Sequence, residues 1–535
     1  GDESPEPVEP ADTSVSFRLD VVSENRAMAR HLERYLELQR FADFPDLQAT
    51  ELRRLLAAAG ENARDLLAAQ GYFDPQLTVS LREPEKARDP RRIVIEVDTG
   101  RRTRVANVDL EFAEPMNSDA AGAGQRRVIE RDWLLEQGET FTQADWDTAR
   151  TEALRVLQRE RYPTARIAES RAVVNADTAE ARLYVQFDAG LLYRFGELQM
   201  EGIERYDAEG IRNIARIPTG DVYTEEALLD AQQRLVGSGY FDSAFLMLDT
   251  MGEDPEDATV LAQFREAKEQ KVVLGVGYST DAGERLSIDH SHNRMWPLRW
   301  RAVNEADLGT QAQSLATLWT DLPVASGWRW YTGLELDRSH YGDYRANSLS
   351  LTGGRMREVE STERRFFVRY DASNASGDSA PSASSSIIGN YNWTGRYFND
   401  DLNPTDGHGW GFESGLGFTL TPQRDPFVRV AARGLHILPF GRRNDAGKRN
   451  RIALRAEGGA IYADPDVEIP VRLLFLTGGD TTVRGYSYQS IGNRLNDGSI
   501  YGGRYMLWGS VEWQRPLTLF GDARSFEHAV FVDAG

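Results

Sequence analysis

Two stretches of this sequence hold residues whose type and spacing could do chemistry. His290 and His292, in "DHSHN", are two apart, so on a strand both imidazoles point to one face. That is the start of a metal site, but no third ligand follows, and a pair of wall or rim histidines is the simpler reading. The second stretch is "GGDTTVRGYSYQSIG", Gly478 to Gly492. It has turn formers at both ends and a Val483-Arg484-Gly485-Tyr486 core. A guanidinium presents a planar fork that holds a carboxylate through two bonds and keeps its proton. Gly485 frees the backbone for a turn that other residues resist. A plain surface loop needs neither feature, so the reason must lie in the elements on either side.

Other chemistries are missing from the sequence. No Gly-x-Ser-x-Gly elbow occurs, and "GFESG" has the wrong spacing for one. No glycine-rich phosphate loop leads into a lysine. With no cysteine there is no disulfide and no thiolate metal site. No enzymatic activity, cofactor or metal is expected. The net charge of -21 and a pI near 4.9 argue against a nucleic-acid partner, which would need a basic stripe. No run of eighteen apolar residues is present, so no transmembrane helix is expected. Composition alone would suggest a soluble acidic protein, but membrane strands are signalled by alternation and not by mean hydropathy.

The 535 residues are too many for one core. Residues 1–14, "GDESPEPVEPADTS", read as a flexible acidic tail on a processed or recombinant start, with no signal peptide. Residues 15 to about 268 contain a repeat. "AAQGYFDPQLTVSL" (Ala68 to Leu81) resembles "VGSGYFDSAFLMLD" (Val236 to Asp249), with a weaker copy in "LQRERYPTARIAES" (Leu157 to Ser170). Three modules of roughly eighty residues follow, at 15–99, 100–190 and 191–268. Each reads β-α-α-β-β. Thr142 caps a helix with Trp146, Ala149, Ala153 and Leu157 along one face, and Thr224 caps another with Leu228, Ala231 and Leu235. Helices end at Gly71, near Arg161, and at Gly239. In the first module Gly60 interrupts the helical run, which suggests an additional helix there. Candidate exposed sheet edges are Gln76 to Leu81 and Ala244 to Asp249.

Residues 269–535 alternate with period two. In "WRWYTGLELD", Trp328, Trp330, Thr332, Leu334 and Leu336 share one face, and Arg329, Tyr331, Gly333, Glu335 and Asp337 share the other. "RIALRAEGGAIYA" sets Ile452, Leu454, Ala456, Ala460 and Tyr462 opposite Arg451, Arg455 and Glu457. One apolar face and one polar, glycine-containing face favour a closed transmembrane barrel over a large β-sandwich. Trp296, Trp300, Trp328 and Trp393, near strand ends, fit an interfacial girdle. "SNASGDSAPSASSS" (Ser373 to Ser386) reads as a mobile extracellular loop.

Tandem β-α-α-β-β modules before a barrel with Val-Arg-Gly-Tyr resemble the Omp85 superfamily of outer-membrane assembly proteins. The modules look like its polypeptide-transport-associated (POTRA) domains, and three of them resembles the TamA subfamily. The resemblance implies that the Val483-Arg484-Gly485-Tyr486 tip folds back into the barrel lumen. There Arg484 would pair with wall carboxylates: Asp533, in a Phe-x-Asp-x-Gly motif made by Phe531, Asp533 and Gly535, and Glu512 in "GSVEWQ". The family barrel has sixteen strands, and about thirteen or fourteen are countable here. The chain is therefore expected to be truncated at its C-terminus, short of the strand that closes the seam.

The resemblance further implies an outer-membrane location with the modules in the periplasm. It implies unfolded outer-membrane or autotransporter clients, an inner-membrane-anchored TamB-like partner, and contact with outer-membrane lipids. The expected function is insertion or secretion of β-rich clients through a laterally gated barrel. A two-partner-secretion-type pore, and a lipid-trafficking or scaffold component of the envelope, are the alternatives.

Overall fold

Helical faces three and four residues apart and strands alternating by two divide the first half from the second. The computed structural model describes residues 15–42, 44, 46–82, 90–114, 116–118, 120–252, 254–279, 283–310, 312–341, 343–377, 380–400, 402–444 and 446–535, so the expected tail at 1–14 lies outside the described residues. The chain divides into two compact units. One takes Gly1–Gln199, Ile217–Leu229 and Met247–Leu261; the other takes Met200–Arg216, Asp230–Leu246 and Ala262–Gly535.

The first module runs β1 (Phe17–Val22), α1 (Arg26–Tyr35), α2 (Glu37–Phe41), α3 (Ala49–Ala69), β2 (Gln76–Arg82) and β3 (Arg91–Asp98). β3 lies between the other two strands, parallel to β1 and antiparallel to β2. Leu32, Leu36, Leu52, Leu55 and Leu67 bury against Ile93 and Ile95. An additional helix is present, but not where Gly60 suggested it. α3 runs unbroken through Gly60, because its buried stripe of Leu52, Leu55, Ala59, Ala63 and Leu67 passes that position without needing a side chain there. The additional helix is α2.

The second module repeats the order with β4 (Arg104–Phe112), α4 (Ala120–Arg131), α5 (Gln143–Arg159), β5 (Arg166–Asn175) and β6 (Glu180–Asp188). Thr142 caps α5 by accepting the Asp145 N–H at 3.0 Å, and Trp146, Ala149, Ala153 and Leu157 are buried. The third has β7 (Phe195–Glu201), α6 (Ala208–Ala215), α7 (Glu225–Gly237), β8 (Phe241–Leu248) and β9 (Ala258–Glu266). Thr224 accepts the Ala227 N–H at 3.3 Å, and Leu228, Ala231 and Leu235 are buried. In every module the last strand sits in the middle of the sheet, which leaves β2, β5 and β8 on edges. The corner after the long helix is left-handed in all three: Gly71 at φ +92°, Arg161 at +73° and Gly239 at +79°.

The second half forms one sheet of thirteen antiparallel strands. They are β10 (Gln270–Ser279), β11 (Gly283–Met295), β12 (Trp300–Gly309), β13 (Gln313–Thr320), β14 (Trp328–Tyr341), β15 (Tyr344–Val359), β16 (Thr362–Ser376), β17 (Ser384–Phe398), β18 (Gly407–Thr421), β19 (Pro426–Phe440) and β20 (Asn450–Tyr462). A long loop holding the short pair β21 (Asn493–Arg494) and β22 (Ile500–Tyr501) then leads to β23 (Tyr505–Leu519) and β24 (Asp522–Ala534). Neighbours in sequence are neighbours in space, with β10 and β24 at the two edges. No helix among the described residues is long and apolar enough to cross a membrane, which says nothing of strands.

Alternation sorts the two faces as expected. Trp330, Leu334 and Leu336 are exposed on one, while Tyr331 is buried on the other. One expectation holds only in part. Half of Ser373 to Ser386 is strand: β16 extends to Ser376 and β17 starts at Ser384. Ser373, Ser384, Ser385 and Ser386 are buried, and Ser373 Oγ lies 3.2 Å from Ser348 Oγ. A small hydroxyl can sit on a crowded polar wall by bonding to its cross-strand neighbour, so a serine run here continues a strand instead of ending it.

Candidate functional site

The loop between β20 and β23 is fixed at its root before it reaches the wall. Arg504 donates to the carbonyls of Ala463 (3.1 Å), Asp464 (2.9 Å), Pro465 (3.1 Å) and Val467 (2.7 Å), tying the loop's end to its beginning. Backbone bridges Phe475–Gly503 and Thr477–Ile491 carry the pairing inward. Gly478 N–H donates to Thr482 Oγ1 at 2.9 Å, and the chain turns at Val483 to Gly485. Gly485 holds φ +91°, and a Cβ there would meet nothing within 4 Å, so its contribution is conformational.

Register prepares the receiving surface. On adjacent strands β23 and β24, Glu512 pairs with Phe531 and Ser510 with Asp533; on the other side of β23, Arg455 of β20 pairs with Ser510. Period two puts all of these on one face. Arg484 meets them with its whole fork. Its Nε donates to Asp533 Oδ2 at 2.7 Å and one terminal nitrogen to Asp533 Oδ1 at 2.8 Å. That same nitrogen also donates to Ser510 Oγ at 3.0 Å, and the other terminal nitrogen reaches Glu512. The Arg484 backbone N–H adds a bond to Asp533 at 3.0 Å. The guanidinium carbon sits 3.4 Å from the centroid of the Phe531 ring.

The site is confined and charge-balanced. The Arg484 side chain is 18% exposed and that of Asp533 only 2%. Arg455 lies 3.5 Å from Glu512, so two guanidiniums face two carboxylates. Gln514 donates to the remaining Glu512 oxygen at 2.5 Å. The hydrogen bonds to Asp533, and then to Glu512, hold the Arg484 guanidinium above its usual range, although burial opposes them. Gly535 closes the floor: a Cβ there would come within 2.7 Å of Val483 Cγ2.

Seven of the eight sequence-derived residues therefore meet: Val483, Arg484 and Gly485 from the loop, and Glu512, Phe531, Asp533 and Gly535 from the wall. Tyr486 does not; it is 60% exposed. Sequence reasoning missed Ser510 and Gln514, although their spacing of two from Glu512 was the available signal. It also missed a second attachment. Arg472, in the short turn Val471–Leu473, pairs with Glu335 and Asp337 on β14. Beside it, Arg429 of β19 donates to the Leu473 carbonyl at 3.1 Å, pairs with Glu413 at 2.6 Å, and lies over the Phe475 ring. One loop thus touches β14, β19, β23 and β24, and a sheet can present all four to one segment only by curling around it.

The histidine pair lies elsewhere. His290 faces Asn304 at 3.0 Å and His292 lies 3.8 Å from Glu269; among the described residues no group of three or more metal-ligating side chains gathers.

Residues 274–535 match the Omp85 superfamily domain, 18–99 the first POTRA domain of TamA, and 193–261 a POTRA model described as a surface antigen variable number repeat. Among solved structures, the chain is similar to BamA from Haemophilus ducreyi lacking POTRA domains 1-3, at 15% identity over 80% of this chain and 86% of that one, with a TM-score of 0.59. CdiB from Acinetobacter baumannii also matches, at 13% identity over 77% of this chain and 76% of that one, with a TM-score of 0.40. At such identities the likeness to BamA is one of fold.

Proposed function

This chain belongs to the Omp85 superfamily, with TamA-type POTRA modules ahead of its strand wall, and from that premise we propose that it is an outer-membrane assembly factor for β-rich clients such as autotransporters. The modules stand in the periplasm and take up extended client segments. The chain makes and breaks no covalent bonds in its work, and an inner-membrane-anchored, TamB-like protein hands clients or lipids to the modules.

The observation that carries this reading is the seating of Arg484 on Asp533 and Glu512. The loop tip is bound to β23 and β24, so the pairing of those strands and the position of the loop are one property. A client that displaces the tip also loosens the strands beside it. β8 offers a second point of engagement: it lies on a sheet edge and exposes Phe245 and Met247, so an incoming strand gains main-chain hydrogen bonds together with apolar contact.

The two anchors of the loop favour an assembly factor over a standing pore, because a segment held at β14 and at β24 crosses the lumen. The test is insertion of an unfolded autotransporter barrel into liposomes carrying the full chain. Insertion faster than into empty liposomes, and slowed by Arg484→Ala, supports the proposal. No acceleration, combined with steady large conductance in planar bilayers, overturns it in favour of a pore.

A further inference from the structure

The outer face of β14 to β18 holds an arrangement that the loop does not use. Cross-strand register sets Trp328, Arg357, Arg364, Trp393 and Phe412 in one row, and Trp330, Arg355, Phe366, Tyr391 and Ser414 in the next. Neither row contains a carboxylate. Arg355 lies 5.7 Å from the Trp328 ring and 5.2 Å from the Trp330 ring. The Nε of Arg357 is buried and has no hydrogen-bond partner. Like charges side by side on a sheet repel, and these three arginines have no acid in either row to offset them.

The third row is Thr332, Gly353, Val368, Gly389 and Leu416. Its two glycines lack side chains, and a groove of about 750 Å³ opens over them, walled by Trp330, Arg355, Phe366, Tyr391 and Leu416. An apolar trough with Arg355 in its wall, and with Arg357, Arg364 and two tryptophans in the outermost row beyond it, matches an amphiphile with a phosphate head. Guanidiniums grip phosphate through two bonds, and tryptophan settles at headgroup depth.

The end of the wall decides the leaflet. The arginine rows lie beside the Pro323 turn and the Glu358 end of β15, whose carbonyls accept hydrogen bonds from Asn213 and Arg216 of the third module. Arg216 is partly desolvated there, with Arg234, Arg357 and Arg329 as like-charge neighbours and Glu358 opposing them.

We propose that this face binds an anionic phospholipid of the module-side leaflet, its phosphate held by Arg355, Arg357 and Arg364 and an acyl chain lying over Gly353 and Gly389. The site rests on the outer-membrane reading above, with the modules in the periplasm. It gives the wall a preferred lipid beside the junction with the third module.

The test is native mass spectrometry of the full chain in detergent with phosphatidylglycerol or phosphatidylethanolamine added. Wild-type chain should retain phosphatidylglycerol preferentially, and the triple variant Arg355→Gln/Arg357→Gln/Arg364→Gln should lose about tenfold of that retention. Gly389→Leu fills the groove while keeping the arginines. A Cβ there meets nothing closer than 3.9 Å, so the wall accommodates it, and it too should lower retention. Arg338→Gln, at the opposite end of β14, should not. Equal retention of phosphatidylglycerol by the wild-type chain and both groove variants overturns the site, as does equal displacement by inorganic phosphate. Protease accessibility of the modules in liposomes is read separately. A chain that never enters liposomes overturns the membrane reading, whereas one that enters but retains both lipids equally overturns the lipid site alone.

Discussion

Gly535 lies under Val483 so closely that a Cβ on the glycine would approach the valine Cγ2 to 2.7 Å and Trp508 Cβ to 3.0 Å. Val483 is 2% exposed and has no room to retreat. The loop tip is thus held by shape as well as by charge, and the two can be separated.

Gly535→Leu should lift Val483 and make residues 478–492 sensitive to protease while leaving every charged group in place. Limited proteolysis of the folded chain reads this directly. A loop as resistant as wild type would mean that the glycine floor contributes nothing.

Removing charge should act differently. Arg484→Ala leaves Asp533 and Glu512 without their main cation, with Arg455 3.5 Å from Glu512, at a cost of about 3–5 kcal/mol where the cluster is dry and less where water enters. Asp533→Asn should have a similar effect, and the double variant should fall short of the sum by about 1 kcal/mol or more. Arg484→Lys should rescue only in part, since an ammonium cannot reproduce the fork. Denaturant midpoints of the four chains measure the coupling; strict additivity would contradict it.

Arg472→Ala should free the loop from β14 without touching the Asp533 cluster. Glu335 and Asp337 then lose a positive neighbour inside the wall. Planar-bilayer recordings should show larger conductance and a shift toward cation preference. Unchanged recordings would show that this anchor does not close the lumen.

Tyr240 gives a pH prediction in the third module. Burial pushes its phenol up to about 12, and its ring centroid is 4.9 Å from that of Tyr206. A free phenol titrates near 10. The fold keeps Tyr240 protonated where the unfolded chain has lost its proton. Its contribution is therefore complete below about pH 10 and declines as pH rises toward 12. Tyr240→Phe should move alkaline unfolding to higher pH, followed by circular dichroism alongside absorbance at 295 nm. An identical midpoint in both chains would refute the assignment.

The modules were legible because their signals are local. Thr142 and the stripe Trp146, Ala149, Ala153 and Leu157 lie within sixteen residues of one another, and the cap and the buried face form as read. Even the weak middle copy was readable, since Arg161 takes the left-handed corner that Gly71 and Gly239 take. Two local readings failed, one of them in part, for a shared reason. Gly60 and the serines at Ser373, Ser376 and Ser384 to Ser386 look like breaks by propensity, and in both places packing against a neighbouring element overrides it. Of the site, Arg484 and its carboxylates were reached only through a motif, because about thirty to fifty positions separate them and nothing in the spacing alone selects Asp533. Arg472 had no motif. Its partners on β14 are still farther away in sequence, and only the curl of the sheet brings them together.

The four carbonyls gathered by Arg504 have a consequence for reversibility. When the tip leaves the wall, the root stays tied, so the departing arginine remains at an effective concentration on the order of millimolar around its own docking surface. Rebinding is then a unimolecular search over a short tether, with no encounter step to wait for. A displaced tip therefore returns to the wall by itself.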